Sequence, residues 1–358
     1  DLTWTDASDN EQGFGIESCS GAGCTTFAVK GTVAADVATF ADSNLTASTP
    51  YTYRVHAFNA TDTSAYSNTT TATTLAVATA ASPVLVGAGE ITSCASVNAM
   101  ATARVVDSLL ADSNVAAFTV GNNLSDTSAG ASFAACFDPS WGRFKSRTFY
   151  AVGTMDFESV GEEAVYNYFG DRLPSRDGWY SYDLGTWHIV VLNTTTWQHG
   201  AGNLTNPASP QNLWLAADLA ATDKRCIMAI SWERRLYTTE GGDLGRNFNA
   251  NEAAKLLYAA GADVLVSAKD KIYARFPLSN PDGAPDEAQG FRQFIVGTGG
   301  RSFDRMHDPA GANPSTVEVQ QVGTWGVVKF TLDSASYSWQ FIPAAGGSFT
   351  DSGTTNCH

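Results

Sequence analysis

The chain has 358 residues, 44% of them hydrophobic and 16% charged, enough for one large domain with a proper core or for two domains of unequal size. A formal net charge of -15 argues against nucleic acid and anionic membrane as partners, because both are held by patches of Lys and Arg. No apolar run is long enough to span a bilayer, and no secretory-type leader precedes Asp1, so any export signal lies outside this sequence.

In chain order, residues 1–76 offer only short strands of period two separated by turn signals. "DLTWT", "FGIES", "TFAVKGTV", "YTYRVHAFNA" and "AYSNTTTATT" all alternate, and no helical stretch interrupts them. Tyr51, Tyr53, Val55 and Ala57 share one face of their strand; Thr52, Arg54 and His56 share the other, which makes His56 a surface residue rather than a ligand. Within this segment "CSGAGC", from Cys19 to Cys24, fits a disulfide that closes a glycine-rich hairpin. The pattern is that of a small β-sandwich.

"LTWTDASDNEQGFGIES" followed by "YTYRVHAFNATDTSAYSN" resembles a bacterial fibronectin type III module over nearly the whole segment. The resemblance implies a strand ahead of the one carrying Trp4, and a chain starting at Asp1 is too short to supply it. Either that strand lies upstream or another chain fills its place.

"LAVATAASP" reads as a linker at 77–83, and a second domain at 84–358 follows. Apolar runs now end in glycine or polar residues: "PVLVGAGE", "AAFTVGNN", "FYAVGTMD", "HIVVLNTT", "IMAISWER", "DVLVSAKD" and "FIVGTGG". Helical patterns lie between them. "VNAMATARVVDSLLAD" puts Met100, Val105, Leu109 and Leu110 on one side; "SPQNLWLAADLAA" opens on Pro210; "NANEAAKLLYAAGAD" stops at Gly261. "WGVVKFTLDSASYSWQFIP" reads as a closing antiparallel hairpin. Buried strands separated by helices give an α/β domain with helices over the sheet faces.

The remaining cysteines, Cys94, Cys136, Cys226 and Cys357, complete an even set with no zinc spacing, which points to three disulfides and a location outside the cytosol. Six cysteines allow fifteen connectivities; the proximity of the blocks favours Cys19–Cys24, Cys94–Cys136 and Cys226–Cys357. Asn-x-Ser/Thr sequons at Asn44, Asn59, Asn68, Asn123, Asn193 and Asn203 add weak support for an exported glycoprotein.

Ligands in an α/β fold bind beyond the carboxyl ends of the strands. This chain places there Glu90, Asn122, Asn123, Thr154, Asp156, Asn193, Trp232, Glu233, Arg234, Lys269, Asp270 and Lys271, with no histidine among them. His188 reads as a core or edge residue, His199 and His307 as loop residues, and His358 ends the chain. Ser231 and Ser267 end strands without a nucleophile-elbow pattern, and "GTGG" alone is a poor phosphate-cradle signal.

The order of these blocks, with "CFDPSWGR", "YSYDLG" and "FIVGTGG" as framework, is similar to the calcineurin-like metallophosphoesterases, including purple acid phosphatase relatives, over residues 84–358. The resemblance implies a sandwich of mixed sheets flanked by helices, and a pair of metal ions that clamp a phosphoryl group. Carried over residue by residue, the first aspartate is Glu90 and the bridging aspartate is Asn122. The ligand asparagine is Thr154, and the histidine beside the leaving group is Met155. Asp156 survives as a supporting residue. The next histidine falls on Trp232, or on Glu233 if the loop shifts by one, and the final pair has become Lys269 and Lys271.

The expectation drawn from these changes is a vestigial site with no catalytic residue, no metal and no cofactor, in a chain that is not an enzyme. Lys269 and Lys271 stand as fixed counter-charges for Glu90, Asp156 or Glu233; the plainer alternative makes them solvated loop charges. The function expected is a secreted structural or adhesive component, self-assembling into a filament or surface layer by pairing with its own copies or with another extracellular protein at an open sandwich edge. Two alternatives stand beside it. One is a phosphoesterase with a rearranged metal site built from Glu90, Asp156, Glu233 and Asp270. The other is a non-hydrolytic module in which Lys269, Lys271 and Arg234 hold an anion.

Overall fold

The computed structural model describes residues 1–75, 81–94, 96–195, 204–238, 244–247, 250–303 and 317–358. The chain divides into two compact units, Asp1–Ala80 and Ala81–His358.

The first unit contains β1 (Leu2–Thr3), β2 (Gly13–Ser20), β3 (Ala28–Ala34), β4 (Thr39–Phe40), β5 (Pro50–Phe58) and β6 (Thr70–Thr73). One sheet runs β3-β2-β5-β6, and β1 pairs with β4 in a second, two-stranded sheet. Alternation in β5 sends Tyr53 and Val55 inward to meet Phe14 and Ile16, with Trp4 edge-on to Phe14 at 5.5 Å. On the opposite face Arg54 pairs with Glu17 at 2.6 Å and lies over the Tyr66 ring at 3.7 Å. Cys19 and Cys24 are disulfide-bonded at the end of β2.

The second unit contains β7 (Val84–Ala88), α1 (Asn98–Leu109), β8 (Val115–Val120), β9 (Thr148–Ala151), α2 (Thr154–Val160), α3 (Glu162–Phe169), β10 (Tyr180–Leu184), β11 (Trp187–Leu192) and α4 (Pro210–Ala221). It continues with β12 (Cys226–Ser231), β13 (Leu236–Thr238), β14 (Leu244–Arg246), α5 (Asn251–Ala259), β15 (Val264–Ser267), β16 (Tyr273–Arg275), β17 (Arg292–Val296), β18 (Val319–Gln321), β19 (Gly326–Leu332), β20 (Ser336–Pro343) and β21 (Ser352–Asn356).

Two mixed sheets form, β10-β11-β12-β15-β17-β16-β18 and β21-β20-β19-β7-β8-β9. Their centres are parallel, β11-β12-β15-β17 in one and β7-β8-β9 in the other. Period two explains why these strands are apolar throughout. Trp187, Ile189 and Val191 of β11 face the opposing sheet, while Val190 and Leu192 face Leu215 of α4 and Leu257 of α5. Phe294 of β17 meets Phe330 of β19 edge-to-face at 5.1 Å, which closes the sandwich at its centre. The domain is thus an α/β sandwich of mixed sheets with helices outside.

Helix α1 departs from the expected face. Ala99, Thr102, Ala103 and Val106 are buried, whereas Met100, Val105 and Leu109 are only half-buried. Small residues win because the helix lies close to the sheet: Thr102 donates to the Gly299 carbonyl at 2.5 Å and accepts from the Trp141 indole at 3.1 Å. Disulfides Cys94–Cys136 and Cys226–Cys357 fasten the α1 entry and the chain end. Among the described residues no helix is long and apolar enough to cross a membrane.

Two sequons are corrected by burial. Asn123 and Asn193 are fully buried, and their amides serve the fold: Asn123 donates to the Ala151 carbonyl at 2.9 Å, Asn193 to that of Asp177 at 2.8 Å. A glycan has no room at either. Asn44 and Asn68 are exposed, and Asn59 is half-buried. Asn203, His199 and His307 lie outside the described residues.

Candidate functional site at the carboxyl ends of the parallel strands

Glycines let the strand ends converge. Gly121, just after β8, has φ +86°, and a Cβ there would stand 2.8 Å from that of Trp232 and 3.0 Å from the Gly153 nitrogen. A Cβ on Gly89 would stand 2.4 Å from that of Ala268. Backbone bonds then sew the loops together. Glu90 N–H donates to the Gly121 carbonyl at 3.1 Å, Arg301 N–H to the Glu90 carbonyl at 3.0 Å, and Lys269 N–H to the Trp232 carbonyl at 2.9 Å.

Glu90 and Asn122, which follow β7 and β8, both adopt left-handed backbone, with φ 54° and 50°. Such conformations cost non-glycine residues free energy and cluster at functional sites. Here they turn two buried side chains toward each other: Asn122 Nδ2 donates to Glu90 Oε1 at 2.6 Å. The Trp232 indole donates to the same oxygen at 3.1 Å, and Arg301 NH1 donates to Oε2 at 2.9 Å. Burial pushes the Glu90 carboxyl above its ordinary value, against the pull of those three donors.

Asn122 Oδ1 accepts from the Met155 N–H at 2.9 Å, which ties the start of α2 to the end of β8. Asp156, one residue on, is fully buried. It accepts from Leu124 N–H and Gly153 N–H, both at 2.9 Å, and from Asn123 Nδ2 at 3.0 Å. Burial nonetheless pushes its carboxyl up to about 7. These N–H donors take the place of the lysine contact expected for it. Thr154 and Met155, at the start of α2, are half-buried.

Glu233, after β12, is fully buried, and its carboxylate accepts from Lys269 Nζ and from Asn247 Nδ2. The Lys269 ammonium also lies 5.1 Å above the Trp232 ring. Arg234 pairs with Asp270 at 2.6 Å and lies over the Tyr237 ring at 4.5 Å. Lys271 follows two residues after Lys269 in the same loop. Asn193 sits at the end of β11, where its carbonyl accepts from Gln211.

The structure therefore gathers Glu90, Asn122, Trp232, Glu233 and Lys269 into one network and leaves Asp156 beside it as a backbone clasp. Arg301 and Asn247 were missed by sequence reasoning. Arg301 directly follows "GTGG", and a cation placed just past a glycine turn at a strand end was the available signal; Asn247 had none. Ser231 donates to the Glu233 carbonyl and Ser267 to that of Phe294, so both hydroxyls are structural. His188 is buried elsewhere, with its ring nitrogens 2.9 Å from Asp183 and 2.9 Å from Asp218. His358 donates its backbone N–H to Asp263.

No protein-family model and no curated protein matches the chain. Solved structures do. One is the purple acid phosphatase PPD1 from seeds of yellow lupin (Lupinus luteus), with a TM-score of 0.59 and 15% identity over 99% of this chain and 71% of that one. At that identity the likeness establishes the fold, a metallophosphoesterase fold.

The expectation that the chain is not an enzyme is corrected by this comparison, because a solved structure sharing its fold is a phosphatase. The physical reason is that a changed ligand set alone does not remove catalysis: fixed cations also stabilise a phosphoryl transition state. A metal pair, which the fold implies, does not fit the donors present. Asn122 aims its amide N–H₂ at Glu90, the Glu90 and Glu233 carboxylates already accept from cationic side chains, and the Lys269 ammonium stands in the loop after β15. Among the described residues no convergent set of three His, Cys, Asp or Glu lies in this network.

Proposed function

We propose that the chain is an extracellular phosphoesterase whose rearranged site holds the phosphate ester with side-chain cations at the carboxyl ends of β12, β15 and β17. The observation that carries the reading is the placement of Arg301, Lys269 and Arg234 around one group of strand ends in a phosphatase fold. Guanidinium and ammonium groups suit phosphate oxygens in geometry and charge. Held by Glu90, Glu233 and Asp270, they are fixed before substrate arrives, and pre-arranged charge is what stabilises a phosphoryl group as water replaces its alkoxide. Three disulfides support a location outside the cytosol. The strand pattern of residues 1–76 supports a fibronectin type III-like module ahead of the phosphoesterase domain.

The test is hydrolysis of a generic phosphomonoester and a phosphodiester, together with thermal stabilisation by inorganic phosphate. Turnover that falls at least tenfold in Lys269→Ala is the expected result. Phosphate stabilisation without turnover would leave the anion-holding module. Neither turnover nor stabilisation would remove both.

A further inference from the structure

We infer that Arg301 and Lys269 take over the charge-balancing part that divalent ions play in a metallophosphoesterase, so that this site assembles with no metal at all. The inference rests on reading the Glu90–Glu233 network as the functional site, but not on turnover.

Three observations carry it. First, Glu90 is 1% exposed and Glu233 0%, so each carboxylate needs a counter-charge inside the protein. Each is supplied: Arg301 lies 2.9 Å from Glu90, and Glu233 has Lys269, with Arg234 farther off at 3.9 Å. Second, every oxygen of both carboxylates already accepts a hydrogen bond. Glu90 accepts from Asn122, Trp232 and Arg301; Glu233 accepts from Lys269 and Asn247. A metal at either would compete with these donors for the same oxygens and stand beside a fixed cation. Third, Asn122 presents N–H₂ rather than a lone pair, because its oxygen is committed to the Met155 N–H. Its left-handed backbone, like that of Glu90, directs this amide at the carboxylate. Lys269 is not an idle surface residue: its side chain is 37% exposed, but its ammonium is on a carboxylate that is 0% exposed.

The test measures metal directly. Native protein produced in medium supplemented with zinc, manganese and iron is assayed by elemental mass spectrometry, and its unfolding temperature is followed with chelator and with each ion added. Metal well below one equivalent, with an unfolding temperature unmoved by chelator, is expected. The double variant Arg301→Ala/Lys269→Ala then exposes the vacated carboxylates, and manganese or zinc should raise its unfolding temperature where neither raises that of the native protein. Stoichiometric metal in native protein, lost in Glu90→Gln, would overturn the inference even if the double variant failed to fold. Absence of phosphoester turnover in metal-free, folded protein would count against the proposed function alone.

Discussion

Arg301 places a guanidinium nitrogen 2.9 Å from Glu90 Oε2, joining the residue groups that follow β17 of one sheet and β7 of the other. The bond spans the sandwich, so it ties site electrostatics to overall stability. Arg301→Ala leaves Glu90 buried and unpaired, a change that typically costs about 3–5 kcal/mol. Glu90→Gln in the same chain should recover much of that loss. A urea-denaturation double-mutant cycle reads the coupling, and additive losses would show the pair to be uncoupled.

Asp351 and Asp156 should give opposite pH dependences. Burial pushes the Asp351 carboxyl up, but bonds from Arg275, Tyr273 and Trp339 outweigh it and hold the group below its ordinary value. Its contribution is therefore present above the unfolded value, near 4, and is lost as pH falls through the folded one. Asp351→Asn should lower stability at neutral pH by about 3 kcal/mol and flatten the acid limb.

For Asp156, whose carboxyl is pushed up to about 7, the sign reverses. Its contribution is present below the unfolded value of about 4 and is lost as pH rises toward the folded one. Asp156→Asn should remove that decline and leave the acid limb intact. Urea midpoints from about pH 3 to about pH 8 check both variants.

The disulfides should differ in weight. Cys226–Cys357 closes a separation of 131 residues and Cys19–Cys24 one of 5. On chain-entropy grounds these are worth about 5 and about 2 kcal/mol. Serine pairs at 226 and 357 should therefore destabilise the Ala81–His358 unit more than serine pairs at 19 and 24 destabilise the first unit, as followed by calorimetry. Equal shifts would contradict the loop-closure account.

Gly121→Ala should damage the site without touching any charge. A methyl group at φ +86° meets Trp232 Cβ at 2.8 Å and the Gly153 nitrogen at 3.0 Å, forcing β8 away from the Trp232 and Asp156 loops. A loss of at least about 2 kcal/mol is expected, with phosphate stabilisation reduced in the same variant. Wild-type behaviour in both measurements would refute it.

Strand runs such as "HIVVLNTT" and "DVLVSAKD" are legible because a strand buried on both faces must be apolar at every position, and they end where polar loops begin. The face of α1 was misjudged for a related reason. Hydrophobicity ranks Met100 and Leu109 above Ala99 and Ala103, but close approach to the sheet selects small residues, and the spacing between layers is invisible in a local window. In the site, Glu90, Asn122, Trp232 and Lys269 stood out as strand-end residues; Arg301 was passed over although it directly follows the glycine turn, and its pairing with Glu90, 211 positions away, is visible only in the fold.

The sequence by itself determined where the long apolar strands lie, where charged groups gather at their ends, and that an even set of cysteines is present. Each is a local property, set by side-chain period, turn chemistry or count. Tertiary structure alone decided which cation meets which carboxylate, that Asp156 is clasped by N–H groups rather than by a lysine, and that Asn123 and Asn193 are sealed inside. Those outcomes depend on separations of a few ångströms between residues far apart in the chain, and electrostatic and hydrogen-bond energies are decided at that range.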